Sequence, residues 1–383
     1  MTLPGPDELR RLLAWVPAGG VLSVYLAIDP GDRSRGWEVA LGDGLRDAVG
    51  AGETAPHDVR IALRAVAERV RGRFRDHRPG PEGRGQIGFI EVTRKNGREV
   101  WSSSQMPPRR TEVVYGHRPY LRPLIEIADE GASVGAVAVS GDRVRIWEWE
   151  QGTLSDVEDL ELTIVGDWRE RKAQRSPDTA RVHGAKAAGR EQYDQRLGAH
   201  RERFLKQAAE QTAGEASKRE WRDLLAFGEN EHVRRFADAL RPREARHVYR
   251  KNIVAEPSSR VAERVEELLP DLNRARELKL VETVKESAYR GTERAALGPQ
   301  ETLEALSQGR VEHLLFDAER DYRDQGIEEG LAYAGPPLGE DGLPVAELMI
   351  ERALETGASI TPVEGEAATA LEEQAGVAAL LRY

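Results

Sequence analysis

The chain has 383 residues, a formal net charge of −10 at pH 7 and no cysteine. This length is too great for one ordinary domain, so we expect two or three. The lack of cysteine excludes disulfides, thiolate zinc sites and cysteine nucleophiles, and suits a reducing compartment. No run of about 18 apolar residues occurs, so we expect a cytoplasmic protein with no membrane partner.

The first third of the sequence has the pattern of an α/β domain. The run GVLSVYLAI (20–28) is typical of a strand, with a glycine before it and the turn sequence DPGD after it. Helical periodicity predicts helices over 36–49 and 57–76. Strands are predicted at 86–92 and 98–104, paired across the turn RKNG.

The middle third contains the clearest strand pattern. After a short approach to a helix at 117–131, residues 134–164 form two β runs around SGD and a third after QGT, which predicts an antiparallel meander. A meander followed by alternating helices and strands predicts a mixed sheet covered by helices. The later elements, in chain order, are a helix near 194–213, a strand at 221–229, a helix at 230–240, a strand at 245–253 and helices at 257–269 and 271–290.

The last 90 or so residues alternate again between helix and strand. A capped helix ends at Gly309 and is followed by the strand VEHLLF, and the stretch at 343–365 repeats this helix, glycine and strand order. The fold class is therefore mixed α/β. We expect three domains, at 1–133, at 134–293 with a loop at 166–193, and at 294–383 as a compact α/β/α unit.

Charge is unevenly distributed along the chain. Residues 168–206 contain eleven Lys or Arg against five Asp or Glu, whereas the chain as a whole is acidic. Such a basic island predicts that one face contacts phosphates while the rest repels non-specific contacts. The alternative is a solvated basic loop, since the many arginines here also fit a GC-rich genome.

Within this island a loop rich in Gly and Ala precedes a basic amphipathic segment, in VHGAKAAGREQYDQRLGAHRERFLKQ (182–207). Glycine gives a loop little bulk and adaptable backbone angles. A glutamine can orient water by hydrogen bonding without carrying charge, and basic residues can hold RNA phosphates. Loop, glutamine and basic helix together suit insertion into a narrow RNA cavity.

Three stretches resemble the archaeo-eukaryotic class of peptide-chain release factors and their relative Pelota. They are VGAVAVSGDRVRIWEWEQGTLSDVEDL, GREQYDQRLGAHRERFLKQAAE, and GPQETLEALSQGRVEHLLF taken with the terminal 355–383. The resemblance covers about residues 134–383. It implies a ribonuclease H-like middle domain and a third domain with the fold of kink-turn-binding ribosomal proteins. The first third resembles the N-terminal region of bacterial members of the superfamily.

The resemblance implies hydrolysis of the peptidyl-tRNA ester without a cofactor or metal. Gln192 and Gly189 would be the catalytic loop residues, with Gln192 positioning the attacking water, and Gly184 would add loop mobility. The partners implied are large-subunit ribosomal RNA and peptidyl-tRNA, and a protein partner at the C-terminal domain is a further expectation. The predicted RNA-binding residues are Arg181, Lys186, Arg190, Arg196, Arg201 and Arg203.

This sequence departs from the family's Gly-Gly-Gln loop. It has Gly189-Arg190-Glu191-Gln192, a Gly-x-x-Gln spacing similar to that of the branch that releases nascent chains from stalled large subunits. Because Arg190 and Glu191 add bulk and charge, Gln195 is an alternative catalytic residue, and a surface loop with an incidental glutamine is a further interpretation. The alternatives for the whole protein are a non-catalytic Pelota-like rescue factor and a protein-binding scaffold. Stop-codon decoding is not expected, because the family's Asn-Ile-Lys-Ser stretch is missing.

Two features of the meander allow both a structural and a functional interpretation. Trp147 and Trp149 share one strand face, so core packing is the main expectation and base stacking the alternative. Carboxylates near the hairpin raise the question of two-metal nuclease chemistry, although a solvated acidic face is the main expectation. These acids are Asp142, Glu148, Glu150 and Asp159.

Overall fold

The computed structural model describes residues 6–32, 34–75, 82–162, 183–240, 246–291, 293–320, 322 and 345–383. Over these residues the chain forms three β-sheets with helices packed against them, which confirms the mixed α/β class. The contacts divide the chain into two compact units. Unit 1 consists of Met1–Gly131 with Leu269–Tyr383, and unit 2 of Ala132–Leu268. No helix in the described ranges is both long and apolar enough to cross a membrane.

The N-terminal part of unit 1 contains an antiparallel sheet in the strand order β3-β2-β1-β4. A single 3₁₀ turn at Gly52–Thr54 joins its second and third helices. The elements are α1 (Pro6–Leu13), β1 (Val21–Ala27), α2 (Gly36–Ala51), α3 (His57–Arg75), β2 (Gly85–Glu91), β3 (Glu99–Ser104), β4 (Glu112–Gly116) and α4 (Arg122–Glu130).

Strand β1 is buried on both faces, as expected for a central strand. Leu22 and Val24 point to one side, into the core made with α2 and α3. Val21 and Tyr25 point to the other side, into a core shared with α4 and with the C-terminal helices. Side chains alternate across a strand, so burial at six successive positions, the polar Ser23 included, requires a sheet covered on both sides.

The C-terminal part of unit 1 contains a second sheet, in the order β10-β13-β11-β12. Strand β11 runs parallel to β12 and antiparallel to β13. The elements are β10 (Ala295–Leu297), α8 (Gly298–Ser307), β11 (Val311–Asp317), α9 (Val345–Thr356), β12 (Ser359–Val363), α10 (Gly365–Ala370), a 3₁₀ turn (Glu372–Gln374) and β13 (Val377–Leu381).

The N-terminal and C-terminal parts of unit 1 share one apolar core. Leu124 of α4 and Leu314 of β11 belong to the same buried cluster, and both are fully buried. Polar contacts join the same parts, since Arg122 donates to the carbonyl oxygen of Ala318 and Arg118 forms an ion pair of 2.8 Å with Glu351. The division into three domains stays a prediction, and the contacts place the first and last of them in one unit.

Unit 2 contains a five-stranded sheet in the order β7-β6-β5-β8-β9. The first three strands form the predicted antiparallel meander, and β8 and β9 run parallel to β5. This order and these directions are those of a ribonuclease H-like fold. The elements are β5 (Val134–Val139), β6 (Arg143–Glu150), β7 (Thr153–Glu161), α5 (His183–Lys218), β8 (Asp223–Gly228), α6 (Asn230–Ala239), β9 (Arg246–Tyr249) and the first turns of α7 (Ser258–Tyr289).

Two helix boundaries differ from those predicted. Helix α5 begins at His183, whereas the sequence pattern places its start near residue 194. Helix α7 is one helix of 32 residues with Pro270 inside it, whereas the proline predicts a break between two helices. Proline removes one backbone hydrogen bond and costs about 3 kcal/mol in a helix interior. Buried side chains on both sides of it, Val265 and Val281 among them, stabilise the continuous helix.

Candidate nucleic-acid interface

One apolar face fixes helix α5 against the sheet of unit 2. Leu205, Ala208 and Ala209 are almost completely buried, in a core with Val137 of β5 and Phe236 of α6. These positions repeat at three to four residues, so they form a single stripe along the helix. The opposite face of α5 is therefore left to the solvent.

The solvent face of α5 carries a row of basic residues. Arg196, His200 and Arg203 are all exposed, and their spacing of four and three residues places them one above the other on the helix. We call these three residues the basic stripe. Lys206 is exposed one turn beyond Arg203. Exposed cations in a row suit phosphate contacts, because binding releases the counterions that nucleic acids condense.

Arg201 occupies a different position from the other predicted RNA contacts. It is half-buried at the border of the apolar face. A Cβ on Gly141, in the turn between β5 and β6, would lie 3.3 Å from Arg201 Nε and 2.9 Å from His232 Nε2. His232 belongs to the first turn of α6 and is also half-buried. The local sequence around His232 does not predict this contact, because Arg201 and Gly141 lie 31 and 91 positions away.

The structure places most of the Gly-x-x-Gln segment in helical backbone. Gly184, Gly189 and Gln192 lie within the bounds of α5, where the sequence predicts a loop. Lys186 and Arg190 lie there too, whereas Arg181 falls outside the described residues. On a continuous helix Gln192 precedes Arg196 by about 6 Å along the axis. The catalytic and RNA-binding roles of all these residues stay predictions.

The acids near the hairpin are engaged in separate contacts. Glu148 accepts hydrogen bonds from Arg219 at 2.7 Å and from Trp221 at 2.9 Å. Asp159 accepts from Arg143 at 2.8 Å. Within the described ranges, no group of three or more His, Asp or Glu could hold a metal ion. Two-metal nuclease chemistry requires carboxylates that converge, and these do not.

The tryptophans of β6 belong to the core. Trp147 is completely buried and Trp149 is 2% exposed. Trp147 donates from Nε1 to Ser258 Oγ at 3.3 Å, and the Arg145 guanidinium lies 4.5 Å from its ring centroid. Core packing is confirmed, and the alternative of base stacking is wrong.

Unit 1 contains a polar cleft that the sequence analysis did not predict. Its volume is about 630 Å³. Arg109, in its wall, pairs with three carboxylates, at 2.7 Å with Glu130 and 3.7 Å with Glu126, and also with Glu364. These arginine contacts are made within the unit, so the cleft offers no excess of positive charge to a phosphate. The lining residues are Arg109, Arg110, Glu112, Tyr120, Arg122, Pro123, Glu126, Glu130, Ala318, Glu319 and Glu364.

A family model matches unit 2. Residues 132–267 match the model described as bacterial archaeo-eukaryotic release factor family 5. The matched region is similar to a release-factor domain of the archaeo-eukaryotic superfamily. It covers about a third of the chain and includes the meander, α5 and the basic stripe. The superfamily resemblance seen in the sequence is thereby confirmed.

Three solved structures are similar to this chain at low sequence identity. An archaeal translation termination factor, aRF1, is 16% identical, with 98% of this chain and 96% of that chain covered and a TM-score of 0.25. Dom34 of S. cerevisiae is 9% identical, with 78% and 79% covered and a TM-score of 0.40. Pelota of Archaeoglobus fulgidus is 13% identical, with 78% and 79% covered and a TM-score of 0.31. No curated protein matches the chain in sequence.

Proposed function

We propose that this protein acts on the ribosome and hydrolyses the ester of peptidyl-tRNA, in nascent-chain release or ribosome rescue. The observation that carries the proposal is the helix α5 of the release-factor domain. It presents Arg196, His200 and Arg203 to the solvent directly after the Gly189 to Gln192 segment. The partners are large-subunit ribosomal RNA, which the basic stripe contacts, and peptidyl-tRNA.

The reaction needs a positioned water rather than a nucleophilic side chain. The water oxygen attacks the ester carbonyl, the bond to the tRNA ribose oxygen breaks, and that oxygen takes the proton. Gln192 accepts from or donates to the water and holds it against the carbonyl. Holding the water in this orientation lowers the entropic part of the reaction barrier, and it requires no cofactor.

A non-catalytic rescue factor, as in the Pelota branch, is the second candidate function. The helical backbone from His183 favours it, because a Gln192 within a helix lacks the backbone freedom of a glycine loop. Arg190 and Glu191 add bulk at the same place. In this case the basic stripe binds ribosomal RNA and the segment performs no chemistry. The basic stripe argues against the third interpretation, a scaffold for protein partners alone.

A peptide-release assay on isolated large subunits that carry peptidyl-tRNA separates the two candidates. If Gln192 positions the water, Gln192→Ala slows release by about 10²-fold or more, equivalent to about 2.7 kcal/mol of barrier. Co-sedimentation with the subunits should be almost unchanged, because the substitution changes the position of the water and not the contacts between the protein and the subunit. Gln211→Ala is the matched control, since Gln211 is exposed on the same helix.

Each outcome of the assay supports one candidate. Binding without any release by the wild-type protein rejects hydrolysis and leaves the rescue factor. Slower release only in Gln195→Ala keeps hydrolysis but moves the water-positioning role to Gln195. Gly189→Val tests whether backbone freedom is needed. A β-branched residue stiffens the segment, so it should impair both the entry of the segment into the ribosomal cavity and the release of the peptide.

A further inference from the structure

The carboxyl ends of two parallel strands meet at one edge of the sheet in unit 2. Val139 ends β5 and pairs with Gly228, which ends β8. In sheets of this kind, ligands bind outside the carboxyl ends of the strands, where the connections diverge. Here β5 continues into the turn at Ser140–Asp142, and β8 leads into α6.

Two nitrogen-bearing side chains from different helices meet over this edge. Arg201 comes from α5 and His232 from α6, and both approach Gly141. A side chain at Gly141 would come within 2.9 Å of the His232 ring, closer than real Cβ atoms approach other atoms. Because Gly141 has no side chain, Arg201 and His232 can both lie directly against the backbone of this turn.

Both side chains keep a buried nitrogen without a partner among the described residues. These atoms are Nε of Arg201 and Nδ1 of His232. A buried donor that makes no hydrogen bond costs about 1–3 kcal/mol, and more when it carries charge. An acceptor from outside the chain would remove this cost. Arg201 Nε and His232 Nε2 lie 3.3 Å and 2.9 Å from one point, the position that a Cβ on Gly141 would take, and two neighbouring nitrogens suit an oxyanion with several equivalent oxygens.

The acid that follows Gly141 in the chain is engaged within the turn. Asp142 is exposed, and its Oδ1 accepts a hydrogen bond from Ser140 Oγ at 2.8 Å, within the turn. Other acids of the hairpin bind arginines of the strands, as Asp159 does with Arg143. Arg201 forms no ion pair with either of these acids, and it directly follows His200 of the basic stripe on the same helix.

We propose that Arg201 and His232, over the bare turn at Gly141, form a binding site for one phosphate group. The phosphate belongs to an RNA backbone or is free in solution, and both present the same oxyanion to the pair. Arg201 donates from its guanidinium and His232 from its imidazole. The proposal rests on the function proposed above only where the phosphate is that of RNA.

The histidine ring itself reports the binding. The full chain, labelled at histidine, is titrated with inorganic phosphate and separately with a short single-stranded RNA that lacks terminal phosphates, at constant ionic strength set with chloride. The His232 ring resonance, assigned by its loss in His232→Gln, should shift saturably. Arg201→Gln should weaken this binding about tenfold or more, since a charge-assisted hydrogen bond is lost.

Matched variants make the result specific. Arg234→Gln removes the same charge from an exposed position on α6 and should leave the shift of His232 unchanged. Gly141→Ala should weaken binding by displacing both side chains, and a thermal unfolding curve shows that each variant is folded. A response to RNA alone identifies a backbone phosphate, and a response to both titrants identifies a general phosphate site.

Two results would overturn the proposal. One is an unchanged His232 resonance with both titrants, and the other is an equal response in wild type and Arg201→Gln. No ribosome enters this experiment, so its failure leaves the proposed hydrolysis untouched. Conversely, a saturable phosphate response in a protein that binds no ribosomal subunit would reject the proposed function and keep the site.

Discussion

Glu347 is a buried acid. It lies on α9 in unit 1 and is only 4% exposed. Its Oε2 accepts a weak hydrogen bond from the Leu121 amide at 3.4 Å, and its Oε1 has no partner among the described residues. The pKa of Glu347 is raised to about 8, mainly by burial, with a smaller contribution from the negative charges of Glu351 and Glu126. The hydrogen bond from the Leu121 amide and the charge of Arg122 oppose this shift. The carboxyl is therefore protonated in the folded protein at neutral pH.

This raised pKa predicts a stability that falls as the pH rises. Below pH 4.5 the carboxyl is protonated in both the folded and the unfolded protein, so the full contribution of Glu347 to the free energy of unfolding is present there. Between pH 4.5 and 8 the unfolded chain ionises while the folded chain does not, and the free energy of unfolding falls by about 1.4 kcal/mol per pH unit. Glu347→Gln cannot ionise, so it should be more stable than wild type by roughly 4 kcal/mol at pH 8.

Denaturant unfolding at pH 4, 6 and 8 measures this difference. The variant and the wild type should be nearly equal at pH 4 and should diverge toward pH 8. Glu355→Gln, an exposed position on the same helix, is the control. A constant difference between Glu347→Gln and wild type at all three pH values would contradict a buried neutral carboxyl.

Trp147 allows a second test at the scale of single residues. Because the ring is completely buried, Trp147→Ala should lower the free energy of unfolding by about 3–5 kcal/mol. RNA affinity of the folded variant should be unchanged, since a buried ring stacks on no base. Denaturant unfolding and RNA binding below the transition measure the two effects. Tyr289→Ala, at a side chain 94% exposed, should change stability little.

At the scale of elements, helix α5 has a packing face and a proposed binding face on opposite sides. Its apolar side packs on the sheet, and its basic stripe is exposed to the solvent. Substitutions on the stripe should therefore change binding without unfolding unit 2. The same reasoning does not hold for Arg201, which borders the core.

Salt dependence of ribosome binding tests the basic stripe. Each phosphate contact contributes about 0.7–0.9 to the slope of the logarithm of the binding constant against the logarithm of salt concentration. Arg196→Gln and Arg203→Gln should each reduce the slope by that amount, whereas Arg260→Gln, exposed on α7, should not. Reversal of both Arg196 and Arg203 to Glu should abolish co-sedimentation without unfolding unit 2. An unchanged slope in both stripe variants would remove RNA contact from this helix.

At the scale of the whole molecule, the chain ends meet in one unit. Residues before Gly131 and after Leu269 build a common core, while unit 2 is a continuous insertion between them. Units with separate cores are expected to unfold separately. Two transitions are therefore expected for a chain whose sequence pattern predicts three domains.

Core substitutions assign these transitions. Leu124 and Leu314 come from the N-terminal and C-terminal parts of unit 1 but belong to the same cluster. Leu124→Ala and Leu314→Ala should therefore lower the temperature of the same calorimetric transition, and each should reduce the free energy of unfolding by about 2–5 kcal/mol. Val137→Ala, in the core of unit 2, should lower the other. Three transitions, with Leu124 and Leu314 affecting different ones, would show that the N-terminal and C-terminal parts are separate domains.

The sequence alone determined those elements whose pattern is local. The meander of unit 2 follows from alternating side chains and from its turns. At the second turn Gln151 and Gly152 both have positive φ, as a two-residue hairpin turn requires. The basic stripe is equally local, because helical spacing alone aligns Arg196, His200 and Arg203.

Tertiary structure decided the features that join distant residues. Local sequence pattern does not predict β4, which pairs with β1 about 90 residues earlier. The same pattern predicts a break in α7 at Pro270, where packing in each unit stabilises one helix. It also gave no sign that His232 meets Arg201, or that Leu124 shares a core with Leu314. Local periodicity reports which face of an element is buried. The partner that buries it depends on the free energy of the whole packed chain, which no short window of sequence contains.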